Sequence, residues 1–199
     1  MRILVVGASG TIGHAVVAAL EPGHEVVPVS RRSTSIVLDM ADPESIAAMY
    51  RQVGVVDAVV SAAGDARFGP LAQLSNEDFR FSIANKLLGQ VNLVRLGFGH
   101  LRDGGSITVT SGILARSPMV GGAAISLVNA ALEGFVRAAA LEAPRGIRVN
   151  AVSPPWVSET LEKLGMDPAP GLPAAIVARA CLESVTGTQT GAVIEPRRS

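Results

Sequence analysis

Three evenly spaced glycines, Gly7, Gly10 and Gly13, separate the apolar run Ile3-Leu4-Val5-Val6 from a second apolar stretch, His14-Ala15-Val16-Val17-Ala18-Ala19-Leu20. The first run reads as a buried parallel strand and the second as a helix. Strand, glycine turn and helix in that order make the geometry that grips a dinucleotide pyrophosphate. Gly7 lets the chain leave the strand sharply. Gly10 clears a Cβ from where the pyrophosphate meets the backbone, and Gly13 lets the helix lie close to the sheet. Backbone N–H groups around Gly10, Thr11 and Ile12, next to Ser9, face the phosphates with the positive end of the helix dipole behind them. The Gly-x-x-Gly-x-x-Gly spacing departs from the standard Gly-x-Gly-x-x-Gly fingerprint, so the reading rests on the turn's place between strand and helix. The alternative is a plain strand-to-helix turn that uses glycine for sterics alone.

Further along, Val29-Ser30-Arg31-Arg32 closes a second apolar run, roughly 20 residues past the glycines, where a dinucleotide fold places its ribose reader. An acid there would accept from a ribose 2′-OH. Ser30, Arg31 and Arg32 instead supply donors and positive charge, and a guanidinium pairs bidentately with phosphate and stacks on adenine. NADP(H) is therefore favoured over NAD(H); the alternative is two solvated arginines in a turn. Asp39, beside Met40, stands where a carboxylate can accept from the adenine amino group. Asp42-Pro43-Glu44 reads as a helix cap followed by an N1 proline. Ser61-Ala62-Ala63-Gly64 ends another apolar run in small residues that let the backbone pass close to a ribose.

These residues need a scaffold, and the pattern supplies one. The predicted strands are Ile3–Val6, Glu25–Val29, Ile36–Leu38, Ala58–Ser61, Ser106–Thr110, Arg148–Val152 and Ala192–Glu195. Helical stretches lie around Thr11–Leu20, Pro43–Val53, Asn76–Leu101, Pro118–Ala143 and Leu172–Ser184. This alternation predicts a Rossmann-type, doubly wound α/β fold with a seven-stranded, mostly parallel sheet and helices on both faces. Gly165–Leu172 reads as an ordered Pro/Gly-rich loop or lid. The chain has 199 residues, 48% hydrophobic and 17% charged, which fits a single domain, 1–199, around a doubly covered sheet.

Composition also excludes. The 17 basic and 17 acidic residues cancel and are scattered, which argues against nucleic-acid or anionic-membrane binding. A lone cysteine, Cys181, permits no intrachain disulfide and no multi-cysteine metal site, and His14, His24 and His100 do not cluster, so no metal is expected. The N-terminal apolar run is too short for a signal peptide and no run approaches a membrane span, so a cytoplasmic location is expected.

Taken together, the chain resembles the short-chain dehydrogenase/reductase family over nearly its full length. The resemblance is carried by the glycine turn, by Ser61-Ala62-Ala63-Gly64 in place of the family's Asn-Asn-Ala-Gly, and by Asn85-Lys86-Leu87-Leu88-Gly89. Ile107-Thr108-Val109-Thr110-Ser111-Gly112, Ala131-Leu132-Glu133-Gly134-Phe135 and Ile147-Arg148-Val149-Asn150-Ala151-Val152-Ser153-Pro154 follow in order, and Gly191–Glu195 resembles the terminal strand. The resemblance implies NAD(P)-dependent oxidoreduction of a small carbonyl or alcohol by an Asn, Ser, Tyr and Lys tetrad. Asn85 matches the Asn and Ser111 the Ser. Ile125 stands at the Tyr and Asn129 at the Lys. A shift of one residue changes nothing, because Arg116 to Phe135 holds neither residue type and Tyr50 is the chain's one tyrosine. A positioned general acid or base is worth about 10²–10⁴ in rate, so the standard proton transfer is lost while cofactor binding survives. Arg116 could bring a cation near Ser111, but reads better as a solvated loop arginine. In the family's Pro-Gly-x-Val segment this chain has Pro154-Pro155-Trp156-Val157. Glu159 replaces the threonine that would hold the carboxamide, leaving Thr160 and Ser158 as candidate hydroxyls.

Two functions remain: an active NADP(H)-dependent oxidoreductase with a degenerate tetrad, or a catalytically silent NADP(H)-binding sensor or partner protein. The family's dimers and tetramers form through the two long helices, here Asn76–Leu101 and Pro118–Ala143, whose apolar surfaces predict a homodimer or homotetramer. The short Ser158–Leu172 segment predicts a small or poorly enclosed substrate.

Overall fold

A computed structural model describes residues 1–32 and 34–198. Among these, seven strands form one parallel sheet in the order β3-β2-β1-β4-β5-β6-β7. They are β1 (Arg2–Val6), β2 (Glu25–Ser30), β3 (Ile36–Val37), β4 (Val56–Ser61), β5 (Leu101–Thr110), β6 (Arg148–Val152) and β7 (Val193–Ile194). The strand order reverses between β1 and β4, so a crevice opens at their carboxyl ends, where doubly wound sheets bind their ligands.

Alternation along β1 divides the core. Leu4 and Val6 face one cluster, with Ile46 and Met49 of α2 (Pro43–Val53), Leu93 of α4 (Gly89–Gly97) and Leu132 of α5 (Ala123–Glu142). Ile3 and Val5 face the other, with Val16 of α1 (Thr11–Leu20) and Val177 and Cys181 of α7 (Ala174–Thr186). A strand buried on both faces is why the sequence shows a continuous apolar run there. Tyr50 lies wholly inside the first cluster, its hydroxyl donating to the Leu93 carbonyl at 2.7 Å, and takes no part in the crevice.

The glycine turn is tight for a steric reason. A Cβ on Gly13 would lie 1.9 Å from the Gly7 carbonyl oxygen, and one on Gly7, whose φ is +85°, would lie 2.9 Å from the backbone of Ala62 and Ala63. The turn, the start of α1 and the end of β4 therefore lock together through bare backbone.

Several boundaries differ from the sequence reading. Asn76–Leu101 is not one helix. It divides into α3 (Asn76–Ser82), a π-helical turn at Ile83–Leu88, α4, and a 3₁₀ turn at Phe98–His100. The π turn ends with the Gly89 N–H donating to Ala84, one residue further back than an α-helix reaches. β5 begins earlier than expected, at Leu101, and its register against β4 shifts between Val56 and Ala58. Helix α5 begins at Ala123, past Gly121 and Gly122, instead of at Pro118. A short helix, α6 (Ser158–Lys163), precedes the expected Pro/Gly loop. The expectation that no run approaches a membrane span is also corrected: α5 is long and apolar enough by length and composition, with a mean hydropathy of 1.4. In the fold, its Leu132 and Val136 are fully buried in the first core cluster.

Candidate functional site

Two cavities occupy the crevice and share Ala62, Ala63 and Gly64 at the end of β4. The first, about 220 Å³, lies over the glycine turn. Gly7, Ser9, Gly10, Ser30, Arg31, Asp39, Met40, Asp65 and Asn85 line it. Within the turn, the Gly10 N–H donates back to the Gly7 carbonyl at 2.9 Å. Ser30 is buried, and its N–H donates to the Thr34 hydroxyl at 2.8 Å. Arg31 is exposed and pairs with Asp65 across the mouth at 3.4 Å. Arg32 is exposed and does not line the cavity. The Asp39 carboxylate accepts from the Ala41 N–H at 2.9 Å, and Asp42 caps α2 as its sequence predicts. Thr11 lines neither cavity; its hydroxyl accepts from Lys163 of α6 at 2.8 Å. Gly13 is buried, and its part is the close contact with Gly7.

The second cavity, about 250 Å³, is largely apolar, walled by Ile12, Ile113, Leu114, Ile125, Pro154, Trp156 and Val157. Its polar side chains are Lys86, Thr110, Ser111, Asn129 and Thr160. Ser111 and the two positions matched to the family's Tyr and Lys, Ile125 and Asn129, thus meet in one space. Asn85 does not join them. Its side chain belongs to the first cavity, where Oδ1 accepts the Asp65 N–H at 3.1 Å. Thr160 faces the second cavity, whereas Ser158 packs against Gly171 and is not a candidate hydroxyl there. The Glu159 carboxylate caps α7 by accepting the Ala174 N–H at 3.0 Å.

Most of these hydroxyls are already engaged. Thr110 donates to the Ser61 carbonyl at 2.6 Å. Ser111 donates to Glu133 of α5 at 3.0 Å, and Ser153 donates to the same carboxylate oxygen at 2.9 Å. Glu133 is 4% exposed, a buried carboxylate held by two hydroxyls. Arg116 completes the cluster, 4.0 Å from Glu133, 3.2 Å from the Ser153 hydroxyl and 2.5 Å from Glu195. It is an exposed loop arginine, as expected, but one anchored behind Ser111 by its ion pair with Glu195. Glu133 was missed because a carboxylate mid-helix in Ala131–Phe135 reads as a surface position; only the fold turns it inward.

Asn129 donates weakly to the Gly112 carbonyl at 3.4 Å, and its Oδ1, buried, has no partner. A buried acceptor left open is a place for a ligand hydroxyl. The other residue the sequence did not single out is Lys86. Its stem crosses Gly64, where a Cβ would lie 3.0 Å from Lys86 Cα and Cγ, and its Nζ donates to the Ser111 carbonyl at 3.2 Å. Lys86 is half-buried, and desolvation of its ammonium holds its pKa down to about 8, with the Asp65 carboxylate opposing that shift. The signal was available: the chain has two lysines, and one of them lies in a conspicuously apolar helix.

A sequence profile described as enoyl-(acyl carrier protein) reductase matches residues 12–194. The chain belongs to the short-chain dehydrogenase/reductase family. Its fold superposes on the Listeria innocua protein lin1944 with a TM-score of 0.94, at 45% identity over 99% of this chain and 100% of that one. It is also similar to a small-chain dehydrogenase solved in complex with NADPH, at 26% identity and a TM-score of 0.86 over 98% of this chain and 95% of that one. A curated relative, 2,3-dihydro-2,3-dihydroxybenzoate dehydrogenase of Escherichia coli, is 30% identical over 81% of this chain and 75% of its own length. Hydroxynaphthalene reductase arp2 of Aspergillus fumigatus is 30% identical over 78% of this chain and 59% of its own length, so this short-chain dehydrogenase/reductase spans well under two thirds of that relative.

Proposed function

We propose that this chain binds NADP(H) and interconverts a small carbonyl compound and its alcohol. The observation that carries the reading is the pair of cavities joined at Ala62–Gly64, one with a phosphate-binding turn and an arginine, the other apolar with an unfilled acceptor on Asn129. The NADPH bound to one structural relative supports the choice of cofactor. NADPH would supply a hydride in the second cavity.

The chain's own groups have these parts. Backbone N–H groups at Thr11 and Ile12 would hold the phosphates at the start of α1, with the Gly10 N–H closing the turn onto the Gly7 carbonyl. Arg31, released from Asp65, reaches the 2′-phosphate, with Arg32 adding charge at longer range. Asp39, Met40 and Ser30 bound the adenosine. Asn129 Oδ1 accepts from a ribose hydroxyl, and Thr160 reaches the carboxamide. Ile113, Leu114, Ile125, Pro154 and Trp156 keep water from the reacting carbon. A cavity of about 250 Å³ suits a small substrate.

The test is a titration with NADPH and, separately, NADH. Micromolar NADPH binding with NADH at least tenfold weaker is expected; failure of both to bind would sink the reading. The second reading, a silent NADP(H) sensor, draws support from Ile125 and Asn129 and from the commitment of the Ser111 proton to Glu133. It predicts binding without turnover. Leu88, exposed on the π turn, and Leu127 and Leu141, exposed on α5, favour a homodimer or homotetramer. Light scattering that returned a monomer would count against that.

A further inference from the structure

The second cavity contains a proton donor that the family pattern does not anticipate, and the inference rests on the oxidoreductase reading above. Reduction of a carbonyl needs a proton delivered to oxygen as hydride reaches carbon. Ile125 has none to give. Thr110 and Ser111 each have one hydroxyl proton, committed to the Ser61 carbonyl and the Glu133 carboxylate respectively. Asn129 and Thr160 donate hydrogen bonds but do not ionise near neutral pH. Among the described lining residues, Lys86 is the one titratable side chain.

We propose that Lys86 is the catalytic acid and base of this site, supplied from the π turn before α4 in place of the phenol that α5 lacks. Three features of the geometry place it there. The π turn at Ile83–Leu88 directs Asn85 to the first cavity and Lys86, its neighbour, to the second. Gly64, with φ of +126°, presents no Cβ where one would strike the Lys86 stem at 3.0 Å, so the side chain can cross β4's end into the cavity. The Ser111 carbonyl takes one of the three ammonium protons at 3.2 Å, which orients Nζ at the end of β5 and leaves two protons for a ligand.

In the reductive direction the substrate's C=O π pair moves to oxygen as hydride from NADPH bonds to carbon. An N–H bond of the Lys86 ammonium then breaks to form the O–H bond. Lys86 is left as the neutral amine, which regains a proton from solvent, and the carbonyl compound as the alcohol; the hydride pair would come from NADPH, which would be left as NADP⁺. Oxidation runs the same transfers backwards, with the amine accepting the alcohol's proton.

An acid for this task needs a pKa near the working pH. Lys86 is brought to about 8 by burial. The charged groups around it are Asp65 after β4, which raises its pKa, and Glu133 and Arg116, which stand behind Ser111. Lys163, on α6, instead bonds Thr11 outside the cavity.

With two lysines in the chain, the test is direct. Lysine Cε and Nζ resonances are followed by NMR from pH 6 to 11 in the wild type, Lys86→Met and Lys163→Gln, with and without NADP⁺. NADPH affinity and turnover of ethyl benzoylformate, an apolar activated ketone, are measured on the same samples, together with Lys86→Arg. We expect one lysine to titrate near 8 and vanish in Lys86→Met. NADPH affinity should stay within about threefold in that variant, and its kcat should fall by about 10²–10⁴. Lys86→Arg, whose guanidinium stays charged, should not restore kcat, and the pH dependence of kcat near 8 should be lost in both variants. The proposal is overturned by two lysines titrating at ordinary values, by a Lys86→Met kcat within fivefold of wild type, or by rescue with Arg. If wild type fails to bind NADPH, the oxidoreductase reading fails first and takes this one with it. Binding without turnover favours the silent sensor and rejects Lys86 as a catalyst.

Discussion

The two cavities that meet at Ala62–Gly64 are built from different materials. The first is organised by backbone: a glycine turn, a strand end and a helix start, with the close approaches of Gly7 and Gly13 fixing their spacing, and side chains such as Arg31, Asp39 and Asn85 set around that frame. The second is made by side chains, and these are wired to one another: Ser111 and Ser153 to Glu133, Arg116 to Ser153 and Glu195, Lys86 to the Ser111 carbonyl. A backbone site tolerates few changes, because a Cβ collides and nothing can rotate away. A side-chain site can exchange its parts, because a group lost from one helix can be replaced by one reaching in from another. The Lys86 substitutions described above give the largest expected effect on that contrast, since they remove a proton and leave the first cavity whole.

Gly13→Ala strikes the other half. Its Cβ would lie 1.9 Å from the Gly7 carbonyl, against backbone that cannot yield. We expect a loss of about 3 kcal/mol in unfolding free energy, the upper part of the usual overpacking range, and loss of NADPH binding with it. Urea unfolding and a nucleotide titration measure both. A variant with wild-type stability would show that the turn is more pliable than a backbone site should be.

Arg31→Ala tests how much a side chain adds to the backbone frame of the first cavity. A hydrogen bond to a charged group is worth about 1.5–3 kcal/mol, so the NADPH Kd should rise about ten- to hundredfold and the NADH Kd by less than threefold. Its exposed pair with Asp65 contributes little to folding, and the melting temperature should hardly move. Equal losses for both nucleotides would show that Arg31 reads something other than the 2′-phosphate.

Glu133→Gln probes the wiring. The amide retains one acceptor but loses the charge that two hydroxyls and Arg116 surround. A cost of about 1–3 kcal/mol is expected, the penalty for leaving a buried partner unsatisfied. If Glu133→Gln instead left stability untouched, the network would be looser than its geometry indicates.

How legible each half was follows from the same contrast. The parallel doubly wound sheet, the bounds of α1 and α2, and the lining of the first cavity were readable because glycine spacing and apolar runs record backbone constraints directly. Gly7, Ser9, Gly10, Ser30, Arg31, Asp39, Met40, Ala62, Ala63 and Gly64 all line that cavity. In the second half, Ser111, Pro154 and Val157 were singled out from sequence and line the cavity, but Lys86 and Glu133 were not singled out. Both lie in helical stretches whose facing depends on the exact turn count. The π turn at Ile83–Leu88 adds a residue that no periodicity of 3.6 anticipates, and it exchanges the neighbours Asn85 and Lys86 between cavities. Arg116 reads as a loop cation until Glu195, from the far end of the chain, arrives beside it.

The smallest effect discriminates the two kinds of construction by pH alone. Below about pH 8 the folded and unfolded chains both have a protonated Lys86, and the folded state bears the whole cost of enclosing that charge. Between about 8 and the ordinary lysine value of 10.5 the folded state releases the proton while the unfolded state keeps it. The unfolded chain then binds more protons, so stability rises with pH. Two side chains of the apolar core act in the opposite sense. Burial pushes the Cys181 thiol up from 9.0 to about 12 and raises the Tyr50 phenol as well. Above about pH 9 the unfolded chain loses those protons first, and stability falls. Urea midpoints at pH 7, 8 and 9 should therefore rise in the wild type before turning over, and the rise should be absent from Lys86→Met, which retains Cys181 and Tyr50. Identical curves would mean that the Lys86 ammonium is as well hydrated in the fold as outside it, and the second cavity would then have no enclosed charge to set against the backbone of the first.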